Sequence, residues 1–331
     1  MKKLIFILSI LVFSSCEKAL FRPDEGSTDA LKNFDYLWNE VDKKYSYFEL
    51  KDIDWDAVKS TYRPQLNENS SVIELFEVMA NMMNELKDDH SNLIAPFNVS
   101  RYNVALNSPK NYRARTINEH YLTDPWSTGA LKHDFLSNKE IGYIRYGSFL
   151  SNFSAEQMDL VLSRYENTKG IILDLRENGG GSIFNVPLLL GRFTDTEKLV
   201  GYSITRNGPK PNNFGEKEDF YVTPSANKKY TKPVVVLIDR GSYSATTFFA
   251  MATKAFANIT LIGDTTGGGG GLPNGGQLPN GWTYRFSISQ LLDINENNYA
   301  ENGVPADINV AFDWKYLMKD EILDRAILEL D

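Results

Sequence analysis

Apolar residues recur at three- and four-residue steps over two early stretches of the chain. Leu31, Phe34, Leu37, Trp38, Val41 and Tyr45 form the first, and Val72, Leu75, Phe76, Met79, Met82, Met83 and Leu86 the second. That spacing lines one face of a helix, and Ser71 with Glu74 supplies a capping box at the start of the second. The pattern predicts a small helical domain over residues 28–95, in which the methionines are flexible core filling rather than a ligand surface. Over 96–136 no period holds, and Pro109, Asn111 and Pro125 punctuate the stretch, so this connecting segment reads as loops with a short strand or two. Beyond Glu140 the pattern changes. Residues 141–146, 170–175, 234–239 and 259–263 read as strands, and 155–165, 184–193 and 246–256 as helices. Alternation on this scale predicts an α/β domain over 137–331 with largely parallel strands, whose functional site lies at their carboxyl ends.

The first residues carry a different signal. Lys2 and Lys3 precede ten mostly apolar residues, Leu4 to Phe13, and then Ser14, Ser15 and Cys16. This is the charged, apolar, small-residue order of a secretory signal, and ten residues are too few to span a bilayer. Cys16 is the only cysteine in the chain and stands where bacterial lipoproteins are cut and acylated. Residues 1–16 therefore resemble a lipoprotein signal, with Cys16 lipidated and residues 17–27, polar and containing Pro23 and Gly26, as a flexible tether. The alternative is an ordinary signal peptide with a chance cysteine. Either reading exports the protein; lipidation would hold it in the cell envelope, anchored to a bacterial membrane and facing periplasm or cell surface. Loss of Lys2 and Lys3 takes the formal charge from −8 to −10. Such a balance gives phosphate backbones nothing to hold and excludes nucleic acid as a partner.

Ser244 stands where the strand 234–239 breaks toward a helix, and the turn Asn178-Gly179-Gly180-Gly181 follows another strand upstream. A serine at the first turn of a helix meets unpaired N–H groups and the positive end of the helix dipole, which favour negative charge on an attacked carbonyl. The simpler role for such a serine is an N-cap. A nucleophilic serine needs a base, and the chain has three histidines, His90, His120 and His133. All precede Ser244, which excludes the chain order of the α/β-hydrolases. His90 follows the second amphipathic helix, where its ring can project from an end or cap the last carbonyls. His120 and His133 fall in the irregular segment and read as surface or loop residues. No His, Cys, Asp or Glu cluster has metal-ligand spacing, so no metal and no cofactor is expected. The run Gly267 to Gly271 lacks the G-K-[ST] closure of a phosphate loop and reads as a mobile flap or a surface turn.

These residues resemble the S41 serine peptidases, the family of the C-terminal processing proteases and the tricorn core protease. Five strings recur in the family's order: 142–146, 170–176 with 178–181, 242–246, 261–266 and 302–307. Upstream, Phe34 to Tyr47, Asp54-Trp55-Asp56 and Asp88-Asp89-His90 are similar to the helical domain of tricorn-like members. The resemblance implies a crotonase/ClpP-like α/β catalytic domain behind a small helical N-terminal domain. It also implies a serine endopeptidase acting on protein or peptide substrates. Ser244 would be the nucleophile, His90 the base, and Glu301 the group that holds the imidazole. The backbone N–H of Gly180 or Gly181, with that of Ala245, would form the oxyanion hole. The processing-protease branch uses a lysine base, and that position is Gly269 here. The stretch 96–136 is too short for the PDZ module that other members carry. An inert peptide-binding lipoprotein of this fold, or an esterase using the same serine, are the other readings. Oligomeric state is not legible.

Overall fold

The structure, a computed structural model, describes residues 26–103 and 108–331, so Cys16 and most of the expected tether lie outside the described residues. Three capped helices open it: α1 (Ala30–Lys44), α2 (Trp55–Tyr62) and α3 (Val72–Asn84). Asp29, Asp54 and Ser71 each accept a first-turn N–H, and at Ser71 the capping box closes in both directions. Each cap contributes about 1 kcal/mol. The apolar faces meet in a common core where Phe34, Leu37, Val41, Met79, Met82 and Met83 are fully buried. Two short strands follow, β1 (Asn92–Ala95) and β2 (Asn98–Val99).

The stretch 96–136 is more ordered than its sequence pattern predicts. It holds α4 (Ala114–His120), β3 (Trp126–Thr128) and β4 (Leu131–Leu136). The polar His133 and Asp134 occupy buried positions of β4 and hide its strand pattern. His133, expected at the surface, is a structural residue. Its ring nitrogens meet Thr128 Oγ1 at 2.8 Å and Arg164 at 2.7 Å, and burial together with Arg164 pushes its pKa down to about 4. His120 ends α4.

From there the chain runs through the expected β5 (Ile141–Tyr146), α5 (Ala155–Arg164), β6 (Gly170–Asp174), α6 (Asn185–Leu190), β9 (Val234–Ile238), α7 (Ala245–Ala252) and β10 (Ile259–Gly263), with two strands the pattern did not predict, β7 (Lys198–Thr205) and β8 (Glu218–Val222), between α6 and β9. Then come β11 (Pro273–Gln277), β12 (Thr283–Ser287), β13 (Ser289–Leu292), β14 (Ile308–Asn309) and α8 (Glu321–Leu330). The main sheet has the order β14-β10-β9-β6-β5-β4-β3, parallel from β14 to β5 and antiparallel at β4 and β3. β6 and β9 are buried at every residue and read as unbroken apolar runs, as strands covered on both faces do. β13, β7 and β8 form a smaller sheet beside it.

The packing does not follow the boundaries expected at 28–95 and 137–331. β11 and β12 leave the α/β body and pair with β1 and β2 in a four-stranded antiparallel sheet, order β11-β12-β1-β2. Leu278, Trp282, Tyr284 and Phe286 thereby join the core of the three helices. The helical N-terminal body is completed by residues from the last fifth of the chain.

Candidate active site

Two buried polar groups fix the loops at the carboxyl ends of β6 and β9. Asp239 Oδ1 accepts the N–H groups of Glu177, Gly241 and Ser242 at 2.8, 3.0 and 3.1 Å. Asn178 accepts Tyr243 N–H and the Thr246 hydroxyl on its carbonyl, and its side-chain amide donates to the Tyr146 carbonyl. Between these anchors Ser244 adopts φ 58°, ψ −116°, with its N–H donating to the Gly268 carbonyl at 3.0 Å. A non-glycine residue held there stores about 1–3 kcal/mol of strain. Its hydroxyl makes no capping bond to α7, so the plain N-cap role does not apply. Instead Ser244 Oγ lies 3.0 Å from His90 Nε2.

His90 sits on the turn between α3 and β1, buried rather than projecting from a helix end. Asp88 forms that turn by accepting His90 N–H at 2.8 Å and the Ser91 hydroxyl at 3.1 Å. It also accepts the hydroxyl of Ser287 from β12 at 2.9 Å and, across the body interface, that of Tyr243 at 3.3 Å. The Tyr243 ring meets the imidazole edge-on, centroids 5.2 Å apart. Burial pushes the imidazole pKa below its ordinary value, Asp88 and, more weakly, the Gly271 carbonyl pull it back up, and Arg285 adds to the downward push.

Glu301 does not reach His90. Its carboxylate pairs with Lys51 Nζ at 2.6 Å and accepts Gly270 N–H at 2.9 Å, while His90 Nδ1 is buried with no hydrogen-bond partner among the described residues. Burial and the neighbouring Asp88 raise the Glu301 pKa to about 8, against the pull of Lys51. The glycine run is not a loose flap either. Gly267 through Gly271 are buried, with Gly267 N–H donating to the Ser242 carbonyl at 2.7 Å and the Gly268 carbonyl accepting the Thr247 hydroxyl at 2.7 Å. Gly269, at φ 74°, lies against Tyr243: a Cβ there would stand 2.4 Å from the ring. The absence of a lysine at this position thus has a steric reason.

The two glycine donors separate. Gly180 N–H is taken by Asn178 Oδ1 at 3.0 Å and is withdrawn from the site, which corrects the expectation for that residue. The N–H groups of Gly181 and Ala245 are engaged by no described backbone acceptor. Gly180 matters instead through its missing side chain, since a Cβ would stand 2.9 Å from the Ala245 nitrogen and 2.8 Å from Ser244 Cβ. These groups open onto a cleft of about 570 Å³ whose walls include Leu150, Ile183, Phe248, Leu272 and Leu291, with Asp89 and Arg285 as its charged residues. Asn178, Tyr243 and Lys51 were not legible as site residues, because each acts through a partner remote in sequence, and the contacts of Asp88 to Tyr243 and Ser287 were hidden in the same way.

The profile of peptidase family S41 matches residues 140–310, and that of the tricorn protease C1 domain residues 28–84. The carboxy-terminal processing protease CtpA of Bacillus subtilis is 29% identical over 174 residues, 52% of this chain and 35% of that one. The chain spans about a third of the length of such curated relatives. A crystal structure of a candidate peptidase from Parabacteroides merdae is 36% identical, with a TM-score of 0.88 over 92% of this chain and 97% of that one. Mature CPAF, at 13% identity and a TM-score of 0.70 over 91% of this chain and 97% of that one, shares the fold. With the family profile spanning more than half of its residues and the helical body matched ahead of it, the chain belongs to peptidase family S41.

Proposed function

We propose that the protein is a serine endopeptidase hydrolysing peptide bonds of extracytoplasmic proteins or peptides, with Ser244 as nucleophile and His90 as general base. The observation that carries this is the 3.0 Å contact between His90 Nε2 and Ser244 Oγ, made by residues 154 positions apart. The depressed pKa keeps the imidazole neutral at neutral pH, the form a base requires. His90 takes the hydroxyl proton as Oγ attacks the scissile carbonyl, and the oxyanion forms against the N–H groups of Ala245 and Gly181. The imidazolium then protonates the leaving amine, and water, activated by the same ring, releases the acyl group. An extended peptide laid beside β11, the outer strand of its sheet and a wall of the cleft through Pro273, would gain main-chain bonds with little sequence choice. Residues 1–16 are proposed as a lipoprotein signal with Cys16 as the membrane anchor.

A fluorophosphonate probe tests the assignment. Labelling of wild type is expected, with none on Ser244→Ala and a strong reduction on His90→Ala. A folded wild type that stays unlabelled would favour an inert peptide-binding protein. Labelling with hydrolysis of a simple acyl ester but not of casein would favour an esterase.

A further inference from the structure

An imidazole that serves as a base must be held in one orientation, and here no carboxylate among the described residues takes the usual handle. His90 Nδ1 is buried without a well-formed hydrogen bond among the described residues, the Gly271 carbonyl alone touching the ring from the backbone, while Glu301 is committed to Lys51 and Gly270. Orientation therefore comes from the turn and from whatever packs on the ring. Asp88, 1% exposed, gathers four donors from three separate segments: His90 N–H and the Ser91 hydroxyl on its own turn, the Tyr243 hydroxyl beside the nucleophile, and the Ser287 hydroxyl at the end of β12. Tyr243 closes the arrangement, because its ring edge rests on the imidazole while its hydroxyl reaches the same carboxylate that ties the His90 backbone. The bare Cα of Gly269 makes room for that ring.

We propose that Asp88 is the positioning residue of His90 and the main anionic support of its imidazolium, acting through the turn and Tyr243 in place of a carboxylate on Nδ1. The inference rests on the proposed role of His90 as base. The charged or titratable groups facing the ring are Asp88 and Asp89 on its own turn, Arg285 from β12 and Tyr243 from the turn before α7; Asp88 exerts the largest upward influence on the imidazole pKa. A carboxylate nearby favours the charged imidazole, so removing its charge makes the ring harder to protonate.

The experiment follows the imidazole titration by NMR in the full chain, where His90 is one of only three histidines and is assigned by its loss in His90→Gln. Asp88→Asn is expected to move the His90 titration to lower pH and to cut kcat about 100-fold with KM little changed, the penalty for a misplaced reacting group. Tyr243→Phe takes one donor from Asp88, leaves its charge less offset, and is expected to move the titration to higher pH. Glu301→Gln is expected to move it less than Asp88→Asn. An unmoved titration in Asp88→Asn, or a larger shift in Glu301→Gln, overturns the proposal; should Asp88→Asn not fold, an unmoved titration in Tyr243→Phe does so. The titration readouts need no turnover, so a wild type that never labels with fluorophosphonate sinks the peptidase reading separately from this one.

Discussion

Gly180 is the residue whose replacement separates donor geometry from gross folding. At φ 90° it lies against the serine turn, and a methyl group there would press on both Ser244 Cβ and the Ala245 nitrogen. Under the proposed mechanism, Gly180→Ala is expected to lower kcat on a peptide substrate by about 10²–10³-fold, the cost of losing Ala245 N–H as an oxyanion donor, while far-UV circular dichroism stays native. Ser244 and His90 were readable in the sequence for opposite reasons. The serine follows a strand with no polar interruption, and the histidine is one of three, the other two lying in a stretch without helical period. The role expected of Glu301 was not readable, because the lysine that claims it is Lys51, brought in by a different body of the fold. The same holds for Gly269, whose lack of a side chain reports on Tyr243 rather than on mobility.

The elements that carry the site were legible where one force set their pattern. The buried parallel strands β6 and β9 and the capped helices α1 and α3 follow from apolar runs and apolar periodicity alone. β4 was not, since two of its buried positions hold His133 and Asp134, satisfied by hydrogen bonds that no local pattern announces. A similar buried network holds the end of β6, just ahead of the glycine turn 178–181. Arg176, fully buried, pairs with Asp174 at 2.7 Å and with Asp320 at 2.9 Å, and Asp320 also caps α8. Removing one member leaves a buried guanidinium short of charge and the helix without its cap. Asp320→Ala is expected to destabilise the fold by about 3–5 kcal/mol, read as a fall in the urea midpoint with the slope unchanged.

At the scale of the molecule the two bodies are stitched at several points. Ser46 donates to the carbonyl of Ser289 on β13 at 2.8 Å, Arg206 donates to the Tyr45 carbonyl at 2.6 Å, and Lys51 meets Glu301. With β11 and β12 built into the helical body, neither unit closes its core alone. Thermal unfolding is expected as one transition, with tryptophan fluorescence, to which Trp38, Trp55 and Trp282 of the helical body contribute three of the five indoles, tracking the far-UV signal of the whole chain; two separated transitions would contradict this. The pairing of Leu93 with Tyr284 has a consequence for biosynthesis. The strand that follows His90 acquires its second neighbour only when the ribosome has passed the 280s, some way beyond Ser244. A nascent polypeptide that stops between those two points thus carries the alcohol without a seated imidazole.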